Sequence, residues 1–95
     1  MKLLSVKRTT SGTKAFKAIF KMDNGREKSV KFGTDSNYVL NSKKTDADRL
    51  AYLARHRVRE DWSKPTTPGS LSRWLLWESR SLATNIRSFK KRFKI

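Results

Sequence analysis

Apolar and polar residues alternate through the first third of the chain. Phe16, Ala18 and Phe20 interleave with Lys17, Ile19 and Lys21, and Val30 and Phe32 flank Lys31. A period of two is that of a strand with one covered face. It predicts strands near 14–22 and 26–33, and a third near Leu3–Arg8 joined through Thr10-Ser11-Gly12. Asp23-Asn24-Gly25 separates the two clearest runs. An Asn-Gly pair in that place predicts a tight hairpin with positive φ at both turn positions. Lysines at the outward positions suit a sheet with one wet side and guarded edges. Tyr38-Val39-Leu40 reads as a short extended piece.

The period then changes. Thr45-Asp46-Ala47-Asp48 has the spacing of a capping box, with Asp48 in place of the usual Glu. Leu50, Leu53, Ala54 and Val58 follow at helical spacing and Trp62 closes the stripe, which predicts a helix over 46–61. Pro65 and Pro68-Gly69 mark a loop. Ser70 or Ser72 is placed to cap a second helix ending near Glu78. Ser81 is placed to cap a third, whose Leu82, Ile86, Phe89 and Phe93 share one face. A β-meander of about three strands followed by two or three short helices is an α+β layout. It fits one domain of 95 residues, with its β part over about 1–40 and its helical part over about 45–94.

Composition limits what can hold such a chain together. Apolar residues make up 36%, a low share, but they include three Trp and five Phe, which bury much area each. Without cysteine no disulfide or thiolate metal site contributes. The longest apolar run, Trp74-Leu75-Leu76-Trp77, is far short of the roughly 20 residues of a membrane span. Met1-Lys2-Leu3-Leu4 opens like a signal peptide, but Lys7 and Arg8 end its apolar run early, so neither secretion nor a membrane span is expected.

Charge changes the picture most. Twenty-three Lys and Arg face eight Asp and Glu, a net +15, against roughly 2–8 for a small soluble domain. The surplus is spread over the chain: nine basic and three acidic residues in 1–36, fourteen and five in 37–95. It belongs to a folded body rather than a tail, and it makes most sense if a polyanion neutralises it. Arg87, Lys90, Lys91 and Lys94 form one stripe at i, i+3, i+4 and i+7 of the third helix, and Arg55 and Arg59 lie one turn apart on the first, beside His56 and Arg57. Like charges so spaced weaken an isolated helix, which points to compensation by a partner. Phosphate is the natural one, because each contact releases condensed counterions and Arg grips phosphate bidentately. Arg55, Arg59, Arg87, Lys90, Lys91 and Lys94 are the expected nucleic-acid contacts, with Arg73 and Arg80 supporting. DNA is the expected polymer, read with little sequence preference. There is no zinc-finger or basic-zipper pattern, and the Ser63–Gly69 loop is long for a helix-turn-helix.

Trp62, Trp74 and Trp77 lie close in sequence. They read first as the core of the helical half, and otherwise as a platform for unpaired bases or a hot spot for a protein partner. His56, the only histidine, is expected on or near an exposed helix face and lacks the companions of a metal site. Glu60-Asp61 followed by Lys64 loosely matches the acidic sets of metal-dependent nucleases, although such carboxylates more often pair with Arg57 or Lys64. No nucleophile–base pair and no phosphate-binding glycine loop is present. A non-enzymatic protein without cofactor is expected.

Tyr52-Leu53-Ala54-Arg55-His56, Glu60-Asp61-Trp62, Ser72-Arg73-Trp74-Leu75-Leu76-Trp77, Leu82 and Ile86, together with Lys28-Ser29-Val30-Lys31-Phe32-Gly33 and Tyr38, resemble a family of small basic proteins of large nucleocytoplasmic DNA viruses. The likeness covers roughly residues 14–93 and departs at Pro68-Gly69-Ser70-Leu71, where the pattern has an aromatic residue before Ser-Arg-Trp. It implies a viral origin and a place in the virion or the infected host cell. It implies two roles: condensing or lining the packaged genome, or serving as a minor virion component whose basic and Trp-rich surfaces dock an acidic protein partner.

Overall fold

A computed structural model describes residues 1–10 and 12–95, so of the predicted Thr10-Ser11-Gly12 connection Ser11 lies outside the described residues. Strands β1 (Lys2–Arg8), β2 (Phe16–Lys21) and β3 (Glu27–Phe32) form an antiparallel sheet in the order β1-β2-β3. Helix α1 (Asp46–His56), helix α2 (Pro68–Leu71) with a π-helical turn at Ser72–Leu76, and helix α3 (Leu82–Phe93) follow. The α+β arrangement is the one the period change predicts.

The alternation in β2 and β3 buries Phe16, Ala18, Phe20, Val30 and Phe32 on one face. Phe16 and Phe32 face each other across the strands with ring centroids 5.8 Å apart. In β1 the apolar residues that meet this face are Leu3, opposite Phe20, and Val6, opposite Ala18. Three positions apart, they would fall on opposite faces of a regular strand. A bulge between Leu3 and Ser5 resolves the conflict and leaves Leu4 exposed.

The hairpin between β2 and β3 forms differently from its prediction. Only Gly25 of the three loop residues has positive φ (82°), and its N–H donates to the Met22 carbonyl at 2.9 Å. That is a three-residue loop in which glycine takes the left-handed position after a turn. Asn24 keeps negative φ because its Oδ1 accepts from the Arg26 N–H (3.0 Å).

Tyr38-Val39-Leu40 is a turn, not an extended piece. Buried Asn37 organises it: its Oδ1 accepts from the N–H of both Val39 and Leu40 (2.9 Å each), and its Nδ2 donates to the Thr34 carbonyl.

The capping box of α1 is present. Thr45 accepts from the Asp48 N–H, and Asp48 accepts from the Thr45 N–H at 2.8 Å, holding the Asp48 carboxyl below the usual carboxylate range. The helix ends at His56 instead of near 61; residues 57–59 form a turn in which the Arg59 N–H, like that of Glu60, donates to the His56 carbonyl, the tightened i→i−3 bonding common at helix ends. Its buried face also differs from the predicted stripe. Tyr52 is buried, whereas Leu50 and Val58 are 61% and 74% exposed and Ala54 is exposed. The Tyr52 ring stacks on Trp77 at 4.2 Å, and Arg49 donates to the Trp77 carbonyl at 2.6 Å and to Glu78 at 3.0 Å. A large ring plus charged hydrogen bonds outweighs a leucine–valine stripe in setting the helix rotation.

The second helix starts earlier than Ser70. Thr67 caps it by accepting from the Ser70 N–H, and Pro68 sits in the first turn, where a missing N–H is harmless. The π turn, with its wider i→i+5 bonding, brings Leu75 and Leu76 inward behind Leu71, and all three are fully buried. Ser81 caps α3 as predicted, and Phe89 enters the core between half-buried Ile86 and Phe93.

Asn85, fully buried and not anticipated, ties α3 to the turn before it. Its Nδ2 donates to the Leu75 carbonyl (2.8 Å) and the Ser79 carbonyl (2.9 Å), and its Oδ1 accepts from Ser79 Oγ (2.5 Å). Buried residues of strands and helices form one core cluster, and the radius of gyration of 12.9 Å is near the roughly 12–13 Å of one close-packed body of this length. Removing the Asn85 amide strands the buried Leu75 carbonyl and the part-buried Ser79 carbonyl, so Asn85→Ala is expected to destabilise by about 2–4 kcal/mol in urea unfolding.

Candidate functional site

The inner face of the sheet shares one core with Leu71, Leu75, Leu76 and Phe89 of the helical half, and the outer side is left to the polar half of the strand pattern. Lys7 lies opposite Lys17, and Lys17 opposite Lys31, so three lysines stand in one row across all three strands. Lys2 lies opposite Lys21, which in turn faces Glu27 on β3. Side chains so paired have Cβ atoms roughly 4.5–5.5 Å apart, and like charges there oppose folding. The lysine row borders a shallow recess formed with Arg8, Thr9 and Thr10. Alternation alone marks these lysines as outward, on a wet face with guarded edges; only the register shows that they converge.

The helical cations predicted from spacing are placed unequally. Arg87, Lys90 and Lys91 are exposed along the outer face of α3, where basic residues in the last turn also suit the helix dipole; Lys94, exposed too, is not the fourth member of a helical stripe, because it leaves the helix as its left-handed C-cap (φ 56°). Arg55 and Arg59 are exposed beside the α1 terminus.

Arg73 and Arg80 are engaged within the chain. The Arg73 side chain is only 12% exposed, lies 3.6 Å from Glu78, and stacks over Trp74 (4.1 Å) and Trp62 (5.2 Å). Arg80 covers the Tyr38 ring at 4.0 Å and donates to the carbonyls of Tyr38 and Lys44. Among the described residues only Arg8, Arg49 and Arg73 of the 23 Lys and Arg side chains come within 4.0 Å of a carboxylate, and no lysine does.

The tryptophans do not form an exposed platform. Trp77 is buried. Trp74 receives guanidinium groups from Arg73 and from Arg92 (3.7 Å), and its indole N–H donates to the Trp62 carbonyl at 3.0 Å. Trp62 donates to Glu60 Oε2 at 2.8 Å. The exposed apolar side chains lie elsewhere, with Leu50 and Val58 on and just beyond α1.

Glu60 and Asp61 turn apart. Glu60 pairs with His56 Nδ1 (3.0 Å) rather than with Arg57 or Lys64, while Asp61 accepts from the N–H and hydroxyl of Ser63, which lower its carboxyl's affinity for a proton. Among the described residues no group of three or more His, Cys, Asp or Glu is placed to hold a metal ion, and no helix is long and apolar enough to cross a membrane.

His56 is only half-exposed, which its position between two arginines does not reveal. Its ring stacks on Tyr52 at 4.1 Å, extending the Trp77–Tyr52 pair into a column of three rings. The column lines a cavity of about 440 Å³ between the end of β3 and helices α1 and α2. The i, i+4 spacing of His56 and Glu60 was the available signal for this site.

Comparison with protein-family models, with curated proteins and with solved structures finds no match to this chain.

Two measurements test the construction of the site. A Cβ on Gly69 would come within 2.9 Å of the Glu60 carboxyl carbon. Gly69→Ala is therefore expected to push that carboxyl off His56 and Trp62, shifting the Trp62 indole N–H resonance while the fold persists. Burial first, and then Glu60, push the Tyr52 hydroxyl up to about 12. An unfolded tyrosine ionises near about pH 10, so the native state holds this proton more tightly; the resulting stability is complete below that pH and is lost as pH rises through the folded value. Tyr52→Phe is expected to flatten the fall of the denaturation midpoint between about pH 10 and about pH 12.

Proposed function

We propose that this protein binds nucleic acid, DNA foremost, without catalysis and with little dependence on sequence, through its unpaired surface cations. The single observation that carries the reading is the Lys7-Lys17-Lys31 row, which the register aligns and no carboxylate neutralises among the described residues. A fold that keeps such a row gives up stability unless an anionic polymer returns it. Exposed Arg55, Arg59, Arg87, Lys90, Lys91 and Lys94 extend the cationic surface onto the helices. Genome condensation or packaging in a virus is the biological setting the family resemblance suggests, and that setting rests on the resemblance alone.

A second reading, docking of an acidic protein partner in a virion, draws on a different observation. Leu50 and Val58 are largely exposed, with exposed Ala54 between them and Arg55 and Arg59 alongside. An acidic amphipathic segment matches that pattern, and the Trp cluster is no longer its anchor.

Binding to random duplex DNA at rising salt separates the two. Nucleic-acid binding is expected to weaken linearly on a log–log plot, with a slope of about −0.9 for each neutralised phosphate. Lys17→Glu with Lys31→Glu is expected to remove about two from the magnitude of that slope, and Leu50→Ser to leave it unchanged. Absence of binding in dilute buffer, or a flat salt response, would overturn the nucleic-acid reading.

A further inference from the structure

We infer that the cavity beside His56 is a site for one nucleoside monophosphate unit, its base stacked on the histidine and its phosphate held by cations at the rim. The inference builds on the nucleic-acid reading by giving that reading a discrete pocket. At about 440 Å³ the cavity lies within the roughly 300–1,000 Å³ range of small-ligand sites, and it opens where the strand and helix halves meet.

The phosphate component follows from charge. Lys14, Lys44 and Arg55 all line the cavity, and none has a carboxylate within 4.0 Å among the described residues. The only acidic residue in the lining is Glu60, and both its oxygens are already engaged, Oε1 by His56 Nδ1 and Oε2 by the Trp62 indole N–H. The electrostatics therefore favour an anion.

The base component follows from the ring column. Trp77 is buried at its inner end, and Tyr52 lies between Trp77 and His56, with interplanar angles of 4° and 24°. The ring available at the open end is His56, whose side chain is 38% exposed. A fourth flat ring placed there continues a column already built, and stacking of this kind tolerates any base. Glu60 fixes the imidazole plane through Nδ1 and leaves Nε2 for the ligand. Inorganic phosphate alone would leave the aromatic end of the cavity unused.

His56 is the only histidine, so its two ring-proton resonances report on the cavity without assignment by mutation. The full chain is titrated at constant neutral pH with adenosine monophosphate, with inorganic phosphate, and with a short 5′-phosphorylated single-stranded oligothymidylate. Adenosine monophosphate is expected to move both ring protons saturably, and phosphate to produce only a small fraction of that shift. Saturation by the oligonucleotide as well assigns the ligand to an unpaired strand; saturation by the mononucleotide alone assigns it to the free nucleotide.

Lys14→Gln with Lys44→Gln, a change to rim side chains that leaves the core untouched, is expected to weaken the mononucleotide by about tenfold. His56→Ala, followed by dialysis of radiolabelled nucleotide, is expected to weaken it by at least about tenfold. Ring protons that stay still at millimolar nucleotide, or that phosphate moves equally, would overturn the site. If random duplex binding persists in that case, the pocket fails and the surface reading stands. If the nucleotide moves His56 while duplex DNA does not bind, the surface reading fails instead.

Discussion

Phe16, Phe20 and Phe32 give one side of a three-stranded sheet an apolar face that water cannot be allowed to wet. A sheet this small is not stable until that face is covered, and here the cover comes from Leu71, Leu75, Leu76 and Phe89 on the helical half. The whole organisation follows from that demand. The helical half supplies the cover on one side, the strand alternation sends the lysines to the other, and the cations of α3 stay exposed. The helical half is then pinned by polar contacts that a purely apolar cover would lack. Asn85 joins α3 to the π turn, Arg49 reaches from α1 to Trp77 and Glu78, and Arg80 holds the loop around Tyr38.

Much of this architecture was legible in the residues. The period of two located β2 and β3, and Thr45, Ser81 and the α3 stripe located two helices, because strand alternation and caps are local properties. What local reasoning misjudged was decided by contacts distant in sequence. Leu50, Leu53, Ala54 and Val58 have the spacing of a buried stripe, yet Trp77 and Glu78 recruit Tyr52 and Arg49 and rotate the helix the other way. The bulge at Leu4 could be inferred only from the need of Leu3 and Val6 to share a face. Pro68-Gly69 looks like a breaker, but a proline in the first turn and a glycine against the Glu60 carboxyl suit a helix start.

The candidate site was legible in part. Spacing alone put Arg87, Lys90 and Lys91 on one exposed face, together with Lys94, which instead leaves the helix as its left-handed cap. It could not show that Arg73 and Arg80 are held by groups of their own chain, since an arginine among aromatic residues reads the same whether it lies over a ring or reaches into water. Nor could it show that Lys7, Lys17 and Lys31 meet, because cross-strand neighbours are separated in sequence by the loops that join them. His56 was read by its arginine neighbours, whereas its setting is defined by Tyr52 one turn before and Glu60 one turn after.

The lysine row carries a consequence for the molecule's own equilibrium. Three ammonium groups set side by side across β1, β2 and β3 are farther apart, and better hydrated, once the chain unfolds. On the nucleic-acid reading, an anion seated among them would relieve the native state alone and by mass action shift the population toward that state. On that reading occupancy and foldedness would therefore be coupled: the empty protein would be the less durable form, and the loaded one would resist local opening of its sheet.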